Sequence, residues 1–230
     1  MSKVRLILLG LLAVLAVSAV ASASASAAEC KKEANKKFVL CLGEPLVLTE
    51  GSFPINIEND TTHNYVLESA GIKITCTVVG NGTNGEVVSS AGSTTVKKLV
   101  LEFKTCTVAN PAHCTVTEPI STEKLKGTIL KKEEIEFTPE TGNTFATIKF
   151  NSSGGTCIVA GSLKVTGSPE GKGQVCTSPT EVTRENQLFE CLATGSHLKL
   201  GEESAKFSGD FLVKLLKEGK AQKWAVIEGV

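Results

Sequence analysis

Apolar and polar residues alternate with a period of two in run after run of this chain, and this pattern constrains its fold more than any other feature. Such alternation is typical of β-strands that turn one face to a core and the other to water. The polar positions are mostly threonine, lysine and glutamate, and threonine suits strands. The clearest runs are residues 72–78, 99–103, 146–150, 163–165 and 198–200.

Segments rich in Gly, Asn, Ser and Pro separate these runs, at residues 80–85, 90–93, 151–155 and 167–173. Many short strands at this spacing predict an all-β fold, an antiparallel β-sandwich or barrel-like arrangement with little helix. Weak helix candidates are confined to residues 29–37 and 181–192. Residues 211–216 are predicted to form a strand that pairs, through a turn at Glu218 and Gly219, with residues 224–227.

Residues 1–28 have the pattern of a secretory signal peptide. Lys3 and Arg5 precede an apolar run, and small residues then lead to cleavage positions after Ala27 or Ala28. The apolar run is about 15 residues long, shorter than the roughly 20 that a membrane-spanning helix needs. We therefore predict a secreted protein, extracellular or at the cell surface, with no membrane span after signal cleavage.

The rest of the sequence divides into residues 29–150, a β region with an N-terminal cysteine loop, and residues 151–230, a second β region. Residues 151–155 are either a linker between two domains or a hairpin loop within one. The full chain has 24 basic and 24 acidic residues. Nucleic-acid-binding proteins usually carry clustered basic residues, so nucleic acid is not an expected partner.

All eight cysteines follow the leader, and an even number in an exported chain predicts a disulfide-stabilised fold. The sequence leaves the connectivity open. Proximity along the chain favours these candidate pairs: Cys30–Cys41, Cys106–Cys114 and Cys176–Cys191, which leaves Cys76–Cys157.

Metal ligation is the alternative use of cysteine, and Cys106, His113 and Cys114 form the densest set. Zinc fingers use more closely spaced C-x₂₋₄-C pairs, which this chain lacks. The chain has only two aspartates, Asp60 and Asp210, which excludes the calcium loops that are built on several aspartates. We therefore expect no metal and no cofactor.

Two catalytic or cofactor motifs match in letters but not in context. Residues 80–85 satisfy G-x-G-x-x-G, which binds a dinucleotide only where a helix follows. Strand and turn residues follow here, so the two Asn-Gly pairs within the match predict hairpin turns instead. Ser121 and Lys124 satisfy S-x-x-K, but their flanks look like strand ends and the companion motifs of penicillin-recognising enzymes are missing.

The remaining candidate residues form no catalytic pattern. His63, His113 and His197 have no metal-binding or triad spacing, and each could act as a base only if folding brought partners to it. Because the chain has only two aspartates, a catalytic histidine would need a glutamate in place of its usual aspartate partner. Glu133, Glu134 and Glu136 form a cluster, which is predicted to be a solvated face or an edge strand. Trp224 and Tyr65 are the only aromatic residues of the types that usually stack on sugars.

Strand and cysteine patterns recur from residue 70 onward in a distinctive order. They are residues 71–76, 99–106, 114–119, 125–127, 195–201 and 205–209, with Lys223 and Trp224 near the end. In this arrangement the sequence resembles a group of small secreted, cysteine-containing β proteins from soil actinobacteria. The resemblance implies export and paralogy, and it carries over no catalytic or binding residue.

These observations favour a secreted or envelope-associated, non-enzymatic β module with a binding or structural role. Its expected partner is an extracellular or cell-envelope ligand of unidentified chemistry, and its oligomeric state is left open. The alternative is an extracellular hydrolase that uses glutamate carboxylates. No residue is assigned as catalytic, cofactor-binding or metal-binding.

Overall fold

A computed structural model describes residue 30 and residues 38–43, 47–83, 85–131, 134–173, 175–176, 186–191 and 197–228. All regular structure in these residues is β, which confirms the predicted fold class. The strands are β1 Phe38–Leu42, β2 Val47–Leu48, β3 Gly51–Asn59, β4 Tyr65–Ser69, β5 Ile72–Thr83, β6 Glu86–Ser90, β7 Ser93–Asn110, β8 Cys114–Val116, β9 Ile120–Ser121, β10 Leu125–Lys131, β11 Glu134–Pro139, β12 Thr144–Ser152, β13 Gly161–Thr166, β14 Glu170–Gly173, β15 Val175–Cys176, β16 Asn186–Cys191, β17 Leu198–Leu200, β18 Glu203–Lys217, β19 Lys220–Gln222 and β20 Trp224–Glu228.

Two closed rings of antiparallel strands form the body of the protein. In the first ring, hydrogen-bonded ladders run through β3, β6, β7, β10, β11, β14, β16 and β18 and return to β3. In the second ring they run through β4, β5, β7, β9, β12, β13, β17 and β18. A bridge between Thr122, directly after β9, and Ala146 of β12 completes the second ring.

The rings share their two longest strands, β7 and β18. The first part of β7 pairs with β6, and from Val100 onward the strand pairs with β5. Similarly, β18 pairs with β4 up to Ser208 and with β3 from Phe211 onward. Each shared strand changes ring at a residue with positive φ, Lys98 in β7 and Gly209 in β18. Strands from both predicted regions, 29–150 and 151–230, contribute to both rings.

Apolar side chains fill both ring interiors, as the alternation predicts. The second ring contains a row of aromatic side chains in which the Tyr65–Phe103 and Phe103–Phe207 ring centroids are each 5.5 Å apart. The cavity left in this ring is about 40 Å³, and the one in the first ring is about 30 Å³. Residues on the inner faces are nearly inaccessible, for example Leu125 and Leu215 at 0% exposure.

A four-stranded sheet of β15, β20, β1 and β2 packs against the first ring. Its inner face includes Leu40 and Trp224, and the Trp224 indole N–H donates a 3.3 Å hydrogen bond to the Val213 carbonyl. Its other face, with Val39 and Ile227, forms a second apolar cluster around the Cys30–Cys41 disulfide.

The predicted C-terminal hairpin is wrong in its partner. Residues 211–216 do form a strand, within β18, but the Glu218–Gly219 turn pairs it with β19. β20 instead pairs with β1, with Leu42 opposite Trp224. This pairing is favoured because it buries Trp224 and Val226 against the first ring.

Three local predictions are also wrong. Residues 80–83 continue β5 rather than forming a turn, and a Cβ at Gly82 would lie 2.6 Å from Val100, so this glycine permits close strand approach. Residues 186–191 of the weak helix candidate form β16, and residues 170–173 form β14.

The turn predicted at residues 90–93 is confirmed, with positive φ at Ala91 and Gly92. Helix candidate 29–37 lies outside the described residues except for Cys30.

Asparagine side chains connect the two rings where β3 and β5 run side by side. The Asn81 Oδ1 atom accepts a 3.0 Å hydrogen bond from the Ile57 amide, and its Nδ2 donates to Asn56 Oδ1 at 2.9 Å. In the other direction, Asn59 Oδ1 accepts from the Val79 amide at 3.0 Å. These bonds satisfy backbone groups that no strand ladder reaches at the junction.

Asn81→Ala is expected to lower the free energy of unfolding by about 1–3 kcal/mol, because it leaves the Ile57 amide without its acceptor at a partly buried site. Urea denaturation measures this loss. Asn143→Ala, in an exposed turn, is the matched control and is expected to change stability by no more than about 0.5 kcal/mol. Equal effects of the two substitutions would contradict the role assigned to Asn81.

Candidate functional site

The two aspartates of the chain meet beside one of its three histidines. The loop of residues 60–64 leaves β3 in the first ring and enters β4 in the second, so it passes over the Gly209 bend of β18. There His63 Nδ1 lies 2.8 Å from Asp210 Oδ2. One donor atom from each of Asp60, His63 and Asp210 lies within 4.8 Å of the others, and we call this group the junction cluster.

Local hydrogen bonds fix the loop side of the junction cluster. Asp60 Oδ1 accepts from the Thr62 amide at 2.9 Å and from the Thr62 hydroxyl at 2.7 Å, which is an Asx-type turn. The Thr62 hydroxyl also lies 2.9 Å from His63 Nδ1. The hydrogen bonds from Thr62, first from its amide, lower the pKa of Asp60 below the ordinary value, so Asp60 is a carboxylate at neutral pH.

The core of the second ring fixes the β18 side. The Tyr65 hydroxyl donates a 2.6 Å hydrogen bond to the Asp210 carbonyl, and Tyr65 is only 2% exposed. The Asp210 side chain is 14% exposed, whereas the His63 side chain is 65% exposed. On the neighbouring strand of the first ring, the ladder partner of Asp210 is Glu190. The cluster therefore has a mostly buried carboxylate on a fixed backbone and an imidazole open to solvent.

The geometry of the junction cluster does not match a nucleophilic triad. In a triad, one imidazole nitrogen faces the hydroxyl and the other faces the carboxylate. Here the Thr62 hydroxyl and the Asp210 carboxylate both approach Nδ1 of His63. What the arrangement offers is two carboxylates and an imidazole, a donor set that suits cations.

Three disulfides are present among the described side chains, and two of the four predicted pairs are wrong. Cys30–Cys41 is confirmed. Cys76 pairs with Cys106, because the two residues lie directly opposite each other on β5 and β7, and Cys114 pairs with Cys157. The predicted Cys106–Cys114 and Cys76–Cys157 pairs are therefore incorrect. The side chains of Cys176 and Cys191 lie outside the described part, so their pairing stays a prediction.

Because Cys106 and Cys114 are in disulfides, they cannot act as metal ligands together with His113. The two sulfurs belong to different disulfides, and a metal-binding thiolate requires a free cysteine. Ser121 and Lys124 also fail to form a site, since Ser121 ends β9 and Lys124 precedes β10 with no helix between them.

Among the glutamates, Glu136 and Glu170 come together as cross-strand partners on β11 and β14. The Ser168 hydroxyl donates to Glu136 Oε1 at 2.8 Å, and His197 Nε2 lies 3.2 Å from Glu170 Oε1. The serine hydroxyl therefore pairs with a glutamate rather than with the histidine. Glu134 lies on the same strand as Glu136, and Glu133 is outside the described residues.

Sequence reasoning missed the junction cluster. It treated the scarcity of aspartate as evidence against a partner for histidine, whereas both aspartates lie beside His63. The one available signal was that Asp60 and His63 lie three positions apart, and nothing in the sequence indicates that Asp210, 147 positions after His63, lies beside them.

Comparison of the chain with protein-family models, curated proteins and solved structures finds no match. The resemblance to secreted actinobacterial proteins therefore stays a prediction. None of the residues that the structure describes belongs to a helix long and apolar enough to span a membrane.

Proposed function

We propose that this protein is a secreted or envelope-associated, non-enzymatic β module with a binding or structural role. Its disulfides are typical of proteins in an oxidising compartment. The leader pattern of residues 1–28 supports the same placement. Closed rings held by disulfides suit a protein that must persist outside the cell.

The observation that carries the proposal is the filling of both ring interiors. Catalytic and small-molecule sites are usually concave pockets of about 300–1,000 Å³ with a few convergent polar groups. The ring cavities, at about 40 and 30 Å³, are lined almost wholly by apolar side chains. A larger hollow of about 410 Å³ lies on the surface at the turn between β4 and β5, where the Glu68 carboxylate is paired with the Lys73 ammonium group. The His63 imidazole of the junction cluster, in contrast, is exposed at the outside of the rings, where a partner can reach it.

Export can be tested by expressing the full chain in a secreting actinobacterial host. Mature protein is expected in the culture supernatant with an N-terminus at Ala28 or Glu29, and N-terminal sequencing reads it directly. A matched variant with Leu8 and Leu9 replaced by aspartate interrupts the apolar run, so it should stay inside the cell. Supernatant protein that still begins at Met1 would contradict the signal peptide.

A binding role predicts association without turnover. The mature protein is expected to sediment with purified peptidoglycan or cell-wall polysaccharide and to release no reducing sugar or peptide from it. Heat-unfolded, reduced protein is the control for nonspecific adsorption. Absence of sedimentation with every polymer would contradict the binding role and leave the structural one.

An extracellular hydrolase is the second candidate, and the Glu136–Glu170 pair is the observation that favours it. Two neighbouring carboxylates can divide acid and base roles when their pKa values differ. If the same assay shows turnover, Glu170→Gln should abolish it, and Glu123→Gln, an exposed residue outside this pair, should not. Turnover lost only in Glu170→Gln would replace the proposed function with this one.

A further inference from the structure

We propose that the junction cluster of Asp60, His63 and Asp210 is a binding site for a divalent transition-metal ion, with Zn²⁺ as the best-suited ion. This inference goes beyond the proposed function and does not rest on it, because metal binding is measured on the protein alone.

The donor set is the first argument. Two carboxylate oxygens and one imidazole nitrogen are ligands that zinc accepts, with a water completing four-coordination. The imidazole favours transition metals over Ca²⁺ and Mg²⁺, which prefer all-oxygen sites. Donors about 2.1 Å from a tetrahedral zinc are about 3.4 Å apart. The three donor atoms now lie within 4.8 Å of one another, with His63 Nδ1 2.8 Å from Asp210 Oδ2, so side-chain rotations of about an ångström bring them to that spacing.

Preorganisation is the second argument. Asp210 sits on a strand shared by both rings, and its carbonyl is held by the buried Tyr65 hydroxyl. Asp60 is held by two hydrogen bonds, from the amide and the hydroxyl of Thr62. The Asp60 carboxylate and the backbone that carries Asp210 thus need little ordering when a cation binds, and ordering is a main cost of binding.

Composition is a third argument, independent of the geometry. The chain has 24 acidic residues, of which only Asp60 and Asp210 are aspartates. Both lie in this cluster, although they are 150 positions apart along the chain. The shorter aspartate side chain has fewer rotatable bonds than glutamate, so it holds a carboxylate at a defined position at a smaller entropic cost.

Isothermal titration calorimetry with ZnCl₂ tests the site on tag-free, disulfide-intact mature protein that has been stripped with a chelating resin. We expect one equivalent of Zn²⁺ to bind. Asp210→Asn and His63→Ala should each weaken binding at least about 100-fold, because even the outer-shell partners of metal ligands are worth about 10–100-fold. The matched control is His197→Ala, which removes an exposed histidine that also faces a carboxylate and should leave binding unchanged.

A second measurement separates ligand loss from loss of fold. Asp60→Asn keeps an oxygen acceptor for the Thr62 turn, so it should fold normally and still bind Zn²⁺ more weakly. The Zn²⁺-dependent increase in melting temperature should appear in the wild type and in His197→Ala, and be lost in the three ligand variants. Absence of stoichiometric binding by the wild type would overturn the proposal. Equal affinity in wild type and His63→Ala, or a greater loss in His197→Ala than in His63→Ala, would also overturn it.

Discussion

Replacing Cys114 and Cys157 together by alanine is expected to lower the free energy of unfolding by about 4 kcal/mol. The two cysteines are 43 positions apart, so their disulfide restricts the unfolded chain more than a short closure does. Both side chains are buried, at 6% and 4% exposure, and their truncation also leaves unfilled volume. Urea denaturation of the oxidised proteins, followed by Trp224 fluorescence, measures the difference.

The matched control is the double replacement of Cys30 and Cys41, whose closure spans only 11 positions and should be worth about 3 kcal/mol. A control pair that costs as much as Cys114 and Cys157 would contradict the loop-closure explanation. Peptide mapping of unreduced wild-type protein tests the connectivity itself. A linked Cys106–Cys114 peptide would contradict the pairing described above.

Gly209→Ala is expected to be the most damaging single substitution at the ring junction, with a loss of about 3–5 kcal/mol. Gly209 has φ near +151°, and an added Cβ would lie 2.5 Å from Cδ1 of Tyr65. Tyr65 has little room to yield, because its ring packs against Phe103 and its hydroxyl is bonded to the Asp210 carbonyl. The substitution therefore combines backbone strain with overpacking, and urea denaturation measures the sum.

Gly71→Ala separates these two causes. Gly71 also has positive φ, near +82°, but nothing lies within 4 Å of a Cβ placed there. This control should lose only about 1 kcal/mol, the cost of the backbone conformation alone. Similar losses for the two variants would show that packing against Tyr65 is not the cause. Insoluble Gly209→Ala beside soluble Gly71→Ala would agree with the prediction.

The strands were predictable because alternation is a local property. Residues 72–78 and 99–103 show it within their own sequence, and both form strands of the second ring. Which strand pairs with which, in contrast, depends on residues far apart in the chain. Trp224 begins a strand near 211–216 in sequence, yet that strand pairs with β1 because this buries its apolar face on the first ring.

The errors at the cysteines have the same origin. Proximity along the chain favoured Cys106–Cys114, but a disulfide requires the two Cα atoms to be close and correctly oriented. The register of β5 and β7 places Cys76 opposite Cys106, with Cα atoms 4.0 Å apart. Register depends on which face of every strand is buried, so it is set by the whole ring and not by the spacing of two cysteines.

The sequence by itself determined the all-β class, the strand runs and the use of cysteine in disulfides, because each depends on residue type and short-range periodicity. The tertiary structure alone decided the ring closure, the cysteine partners and the meeting of Asp60, His63 and Asp210. These last features depend on contacts between residues far apart in the chain, which form only when burial of the apolar faces selects one arrangement of strands.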